Sequence, residues 1–226
     1  MKKILAVCCI GSLSWAPGLQ AGEDVRVTQK TEKDVTLFEV PWQCPAAPAI
    51  GCGSHAKPIL LQLEQNPSVH EAWLNRQGTL VVLVWSPDAK KKARREVEKT
   101  LEEQKASKLS GSKQAEALAA FNSGKGWYRG AEVDRLSEEE AGVIAARLVR
   151  RVQGKTTLAP DKAKGLEAAL AAAVAKCLTG KAPVPEGEDE RRLELGRVAG
   201  PFLDEAQLKI LGEAAGCGMQ AMPNEE

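Results

Sequence analysis

Two thiols and an imidazole lie within twelve residues of one another in Cys44-Pro-Ala-Ala-Pro-Ala-Ile-Gly-Cys52-Gly-Ser-His55. Thiolates select soft cations such as Cu(I), Zn(II) or a mercury-like ion. Cys52 precedes a helix-forming run, and the partial positive charge of a helix N-terminus favours a thiolate there. Gly51 and Gly53 let the backbone approach a bound ion. His55, three residues beyond Cys52, adds a third candidate ligand to Cys44 and Cys52. A Cys2His set without a fourth ligand suits trigonal Cu(I) or an open zinc site. The same two cysteines are also spaced for a disulfide, whose loop closure would contribute roughly 2.5 kcal/mol. A disulfide, a metal site and inert thiols all remain open for this pair. A second soft set, Cys217 with Met219 and Met222, lies at the C-terminus, where a Cys177–Cys217 disulfide is the plainer reading.

Other chemistries have no signature. The chain lacks Gly-x-Ser-x-Gly, a phosphate-binding glycine loop and His-Glu-x-x-His, and it lacks the Cys-x-x-Cys of dithiol oxidoreductases. A non-enzymatic role follows as the expectation. His70, in a strand-like run, reads as structural or exposed.

The compartment bears on the thiols. Lys2 and Lys3 followed by the mostly apolar run Ile4 to Trp15 read as a secretory leader over residues 1–21, too short for a membrane span. A periplasmic or secreted location follows, with no membrane span after cleavage. Removing Lys2 and Lys3 from 31 basic side chains leaves 29 against 30 acidic ones, a net charge of −1. Such a balance gives no general affinity for nucleic acid or anionic membrane. Cys44, Cys52, Cys177 and Cys217 remain, an even number that in an oxidising compartment favours disulfides with three pairings open.

The elements that position the loop follow from pattern. Residues 22–34 are polar and read as a flexible arm. Val35 to Val40 reads as a strand, ended by Pro41. Ser54 is a candidate cap for a helix over about 55–65, with Ile59, Leu60 and Leu63 on its apolar face. Val69 to Arg76 and Thr79 to Trp85 read as a hairpin turning at Gln77-Gly78, and the near-continuous apolar run of the second suggests a central strand. Residues 88–121, rich in Ala, Lys, Glu and Leu, read as one long helix. Its run Lys90 to Arg95 is a solvated face or a docking patch for an acidic partner. Trp127 to Val133 reads as a short fourth strand. Ser137 and Glu140 have capping-box spacing at the start of a further helix. Helices then follow from about residue 160, over about 190–199 and over about 204–215, with a Pro/Gly/Glu-rich linker at 180–189.

Strand, Cys loop, helix, strand, strand, helix, strand is the split βαβ order of a ferredoxin-like domain. The expected fold class is α+β: a ferredoxin-like domain over residues 35–134 followed by a small all-α domain over 135–226. Residues 35 to about 134 resemble the heavy-metal-associated domain of copper chaperones and periplasmic mercury-binding proteins. The resemblance rests on Cys52 just before the helix, and on Val69-His-Glu-Ala-Trp-Leu-Asn75 and Gly78-Thr-Leu-Val-Val82 as the second and third strands. It implies that Cys44 and Cys52 are metal-binding thiols and that the partners are a soft metal ion and a metal-transfer or other periplasmic protein. Leu203-Asp-Glu-Ala-Gln207 more faintly resembles the Leu-Thr-x-x-Gln of periplasmic heavy-metal sensors and stress chaperones.

Overall fold

Residues rich in β-branched and aromatic side chains build a sheet, and Ala/Leu/Glu/Lys-rich stretches build helices around it. A computed structural model describes residues 29–185, 187–216 and 220. The leader at 1–21, most of the arm, and the Cys217, Met219 and Met222 set lie outside the described residues. In chain order, β1 (Val35–Glu39) leads to a small hairpin of β2 (Gln43–Cys44) and β3 (Ala47–Gly51). There follow α1 (Gly53–Glu64), β4 (Val69–Asn75), β5 (Leu80–Trp85), α2 (Lys91–Glu103), β6 (Ser107–Lys108), α3 (Gly111–Asn122) and β7 (Trp127–Arg129). Four helices complete the chain: α4 (Asp134–Gln153), α5 (Pro160–Leu178), α6 (Glu188–Ala199) and α7 (Glu205–Gly216). The architecture is mixed α and β, with a five-stranded antiparallel sheet in the order β6-β1-β5-β4-β7.

β5 is the middle strand, and both faces of the sheet are covered. Phe38, Leu74, Val81, Leu83 and Trp85 join Leu60, Leu63, Val97 and Leu101 in the main core. Leu37, Trp73, Val82 and Val84 face the other way onto Phe121 and Trp127, beneath α3. Burial on both faces explains why Leu80 to Trp85 is apolar without alternation. The β4–β5 turn is closed by Asn75, whose Oδ1 accepts the amides of Thr79 and Leu80 at 2.8 and 2.9 Å. Gly78 supplies the φ of 70° that this turn requires.

The expected long helix over 88–121 is instead two helices separated by an edge strand. The chain reverses at Lys105, a non-glycine residue with a φ of 62°, and Ser107–Lys108 pairs with Phe38 and Glu39. The edge beside β1 is thus taken by β6. The strand expected at 127–133 forms only at Trp127–Arg129 and adds to the opposite edge, against β4. Ser137 and Glu140 do not cap a helix start. α4 begins three residues earlier, and both side chains are buried.

α4 anchors the rest. It touches α1, β3, α5 and α7, and one apolar cluster runs from Phe38 through Leu148 to Leu211. Lys57 Nζ of α1 meets both carboxylate oxygens of Asp134 at 2.9 and 2.8 Å. Arg76 beside the β4–β5 turn meets Glu139 at 2.6 Å. No described helix is long and apolar enough to cross a membrane.

Candidate functional site

The Cys loop is not irregular. After Pro41 it forms the β2–β3 hairpin, which lies across the β4–β5 turn and is bonded to it. The Trp42 amide donates to the Gly78 carbonyl at 3.0 Å and the Gly51 amide to the Arg76 carbonyl at 2.7 Å. Glycine is required where the backbones meet: a Cβ on Gly51 would lie 2.8 Å from the Gly78 Cα. A Cβ on Gly53 would lie 2.4 Å from the Val133 carbonyl oxygen and 2.5 Å from Ser137 Oγ. Both glycines therefore serve close backbone packing, where the sequence suggested room for an ion.

The hairpin register separates the two thiols. Gln43 pairs with Gly51, so Cys44 and Cys52 run off in opposite directions from that pair. Their Cα atoms are then roughly 8 Å apart, beyond the span of roughly 4.4–6.8 Å usual for a disulfide. Cys44, Cys52 and Cys177 all carry free thiols. The Cys177 thiol is half-buried and donates to the Pro183 carbonyl at 3.5 Å, and the Cys217 of its expected pairing lies outside the described residues.

Cys44 points inward. It is 2% exposed, and its Sγ accepts the Ala46 amide at 3.2 Å. Burial pushes its thiol up to about 12, and a hydrogen bond with the nearby Glu140 carboxyl and the charge of that group push in the same direction. The metal-free protein therefore holds Cys44 as the thiol. Glu140 is itself raised above the usual carboxylate range, chiefly by burial, against the opposing hydrogen bond with Cys44. Its Oε2 has no protein partner, and neither has Ser137 Oγ one turn earlier. Arg147, two turns further along α4 and also buried, donates from Nη1 to the Ala46 carbonyl at 2.8 Å.

Cys52 points the other way. It is the N-cap residue of α1, in extended backbone geometry, and its carbonyl accepts the Ala56 amide at 3.0 Å. Its half-buried thiol lies 3.4 Å from Ser54 Oγ. No side chain caps α1, so Ser54 does not fill the capping role its type suggested. His55 is exposed on the first turn of α1, its ring edge-on to the buried Trp42 at 5.6 Å and 81°. His70 is exposed, with Nε2 3.7 Å from Glu71 Oε1.

The three sequence candidates thus divide. Cys52 and His55 share the exposed start of α1, while Cys44 belongs with Glu140 in the interior. Among the described residues no group of three from His, Cys, Asp and Glu is placed to hold a metal ion. The residues that sequence reasoning missed are Ser137, Glu140 and Arg147. Their signal was present: Glu140 and Arg147 fall on the same helical stripe as Leu136, Ile144 and Leu148, so two ionisable side chains were due to be buried. No family model, curated protein or solved structure matches this chain.

Proposed function

We propose that this protein is an exported carrier that takes up a soft metal ion, Cu(I) first, at the junction of β3 and α1 and passes it to a partner protein. The observation that carries this reading is Cys52: an accessible thiol at a helix N-cap, with the His55 imidazole one turn away and facing solvent. Two-coordinate thiolate and imidazole ligation suits a soft monovalent ion and leaves the ion open to attack by a partner's thiolate. Sequestration of Cys44 inside the fold keeps the outer site from closing around its cargo. The fold we propose for Val35–Lys108 is a ferredoxin-like split βαβ unit. Its support is the strand order β6-β1-β5-β4 together with the chain order β1, α1, β4, β5, α2, β6. Export rests on the leader pattern at 1–21, and cell fractionation of the full chain checks it.

The test is Cu(I) titration of the reduced full chain against a colorimetric Cu(I) chelator. The wild type and Cys44→Ser retain one competed equivalent, Cys52→Ala loses it, and His55→Ala binds more weakly. Equal retention by Cys52→Ala and wild type would sink the reading in favour of an exported binding or structural protein with no metal role.

A further inference from the structure

The start of α2 carries five cations in six residues, Lys90, Lys91, Lys92, Arg94 and Arg95. Lys90, Lys91, Lys92 and Arg95 are exposed, and none has an ion-pair partner among the described residues. Arg94 lies over the Trp85 ring at 5.3 Å and donates to the Ala89 and Lys33 carbonyls at 3.2 and 3.3 Å, all of them neutral groups. Residues 30–34, which meet Arg94 there, hold Lys30, Glu32, Lys33 and Asp34 and balance in charge. Counting the flanking Asp88 and Glu96 against the run still leaves an excess of three positive charges. Helix stability does not account for the pattern. The helix dipole disfavours cations at the N-terminus and acids at the C-terminus, and like charges four residues apart, as in Lys90–Arg94 and Lys91–Arg95, repel. α2 nonetheless has no acidic residue in its first turn and no basic one in its last, where Glu102 and Glu103 stand. The near-neutral net charge is thus an average over a segregated surface, and a charged partner meets the local density.

The run lies at the opposite end of α2 from the β3–α1 junction. Trp85, the last residue of β5, pairs with Val69, and its amide donates to the Asp34 carbonyl at 2.9 Å, so α2 starts at the end of the sheet where β1 and β4 start. Beyond the other end of α2 the Gln104 carbonyl accepts Trp42 Nε1 at 3.4 Å, and Trp42 touches His55. The basic end therefore stands off from His55 by about the length of α2, roughly 18 Å.

We propose that Lys90–Arg95 is a docking patch for the anionic phosphate headgroups of a bilayer surface. Each Lys or Arg brought to such a surface adds to the attraction. A folded acidic partner would be gripped through a buried apolar or aromatic anchor, and the exposed large apolar side chains among the described residues, Leu61, Val184 and Leu193, lie on α1, just before α6 and on α6. Cations spread over a helix end without such an anchor suit an extended array of phosphates. Val97 and Leu101, the apolar face of α2, are buried in the core, so the contact is electrostatic and sensitive to salt. Docking through this end leaves Cys52 and His55 facing away from the bilayer. Neither of them takes part, so the patch stands apart from the proposed carrier function.

The full chain is sedimented with vesicles of phosphatidylcholine alone and with vesicles in which about one-third of the lipid is phosphatidylglycerol. The expected result is co-sedimentation with the second kind only, weakened at least about tenfold between roughly 0.05 and 0.5 M salt. Lys91→Glu/Lys92→Glu/Arg95→Glu abolishes it. Two of these changes put acids in the first turn of α2, where the dipole favours them, so the fold is kept, and circular dichroism checks that it is. Lys162→Glu/Lys164→Glu/Lys209→Glu makes the same change in net charge at exposed positions of α5 and α7 and retains binding. Equal binding to neutral and anionic vesicles overturns the patch, as does equal binding by the α2 variant and the wild type, or equal loss in the α5/α7 variant. No binding to anionic vesicles overturns the bilayer as the partner, in favour of an acidic protein where poly-glutamate is retained through the same residues. Vesicle binding is indifferent to Cys52→Ala, and Cu(I) uptake to the α2 variant, so this patch and the carrier reading fail separately.

Discussion

Seven residues separate Cys44 from Cys52, and the hairpin between them delivers one thiol to the interior and the other to the surface. The spacing alone left a disulfide, a chelate and inert thiols open, because it says nothing about register. What decides the register is the pairing of Gln43 with Gly51, and that pairing depends on the β4–β5 turn beneath it, which is remote in sequence. Alkylation should read the difference directly. In the reduced, metal-free protein Cys52 reacts at once, while Cys44 reacts only in step with unfolding; simultaneous modification of both would contradict the buried placement. Glu140 gives a second prediction at this scale. Burial holds its carboxyl above the usual value of 4.5, so the folded protein keeps a proton that the unfolded chain has already lost. Stability is therefore fully present below about pH 4.5 and falls as pH rises through the shifted value. In metal-free protein, Glu140→Gln should flatten that fall and raise the melting temperature at pH 7, by roughly 2–4 °C for each 1 kcal/mol regained. A lower melting temperature at pH 7 in thermal unfolding followed by circular dichroism would contradict it.

The elements most legible in the sequence were those with strong periodicity. β5 announced itself by an unbroken apolar run, and α1 by Ile59, Leu60 and Leu63. β6 was illegible because two residues, Ser107 and Lys108, carry no pattern, and because the flanking α2 (Lys/Arg/Glu-rich) and α3 (Ala-rich) are both built of helix-favouring residues. The left-handed backbone at Lys105 opens the break and that at Gly111 closes it; a lysine gives no warning of the first, whereas Ser110-Gly111-Ser112 is a turn signal that the long-helix reading overran. The capping-box spacing of Ser137 and Glu140 misled for a different reason: Asp134, already in the first turn, starts the helix, and the later pair falls on its inner stripe. The close approach of hairpin and turn is the element-scale feature on which the candidate site depends. A Cβ on Gly78 would lie 2.5 Å from both the Gly51 Cα and the Trp42 carbonyl oxygen, at a φ that an L side chain resists. Gly78→Ala should cost at least about 2–3 kcal/mol and loosen the hairpin. Chemical denaturation measures the first effect, and faster alkylation of Cys44 in native buffer measures the second. Phe121→Ala acts on the far side of the sheet. Phe121 fills the space between Trp73 and Trp127 at ring distances of 6.0 and 5.1 Å, and its loss should cost about 3–5 kcal/mol without changing Cu(I) uptake.

Across the whole molecule, α4 makes the sheet and the helices interdependent. It packs against α1 and β3 as well as against α5 and α7. Ion pairs Lys57–Asp134 and Arg76–Glu139 bind its first turns to the sheet side, and Arg151 donates to the Ala214 carbonyl of α7 at 2.9 Å. The sequence suggested a boundary near residue 134, where strands give way to helices. The apolar cluster crosses that point without a gap, from Phe38 and Leu60 through Val133, Leu136 and Leu148 to Leu170 and Leu211. Two segments that bury their apolar faces against one shared helix lose that burial together, so a single cooperative transition is expected. The probes are separable: Trp42, Trp73, Trp85 and Trp127 all lie within the sheet and its hairpin, whereas helical circular dichroism is dominated by α4 to α7. Leu148→Ala should destabilise by roughly 3 kcal/mol, a fall of about 6–12 °C in a chain of this size. The tryptophan and helix signals should both move by that amount and remain superimposed. Separated transitions, with the tryptophan signal unmoved by a substitution in α4, would mean that the sheet folds without the helices and that α4 does not hold the hairpin carrying Cys44 and Cys52.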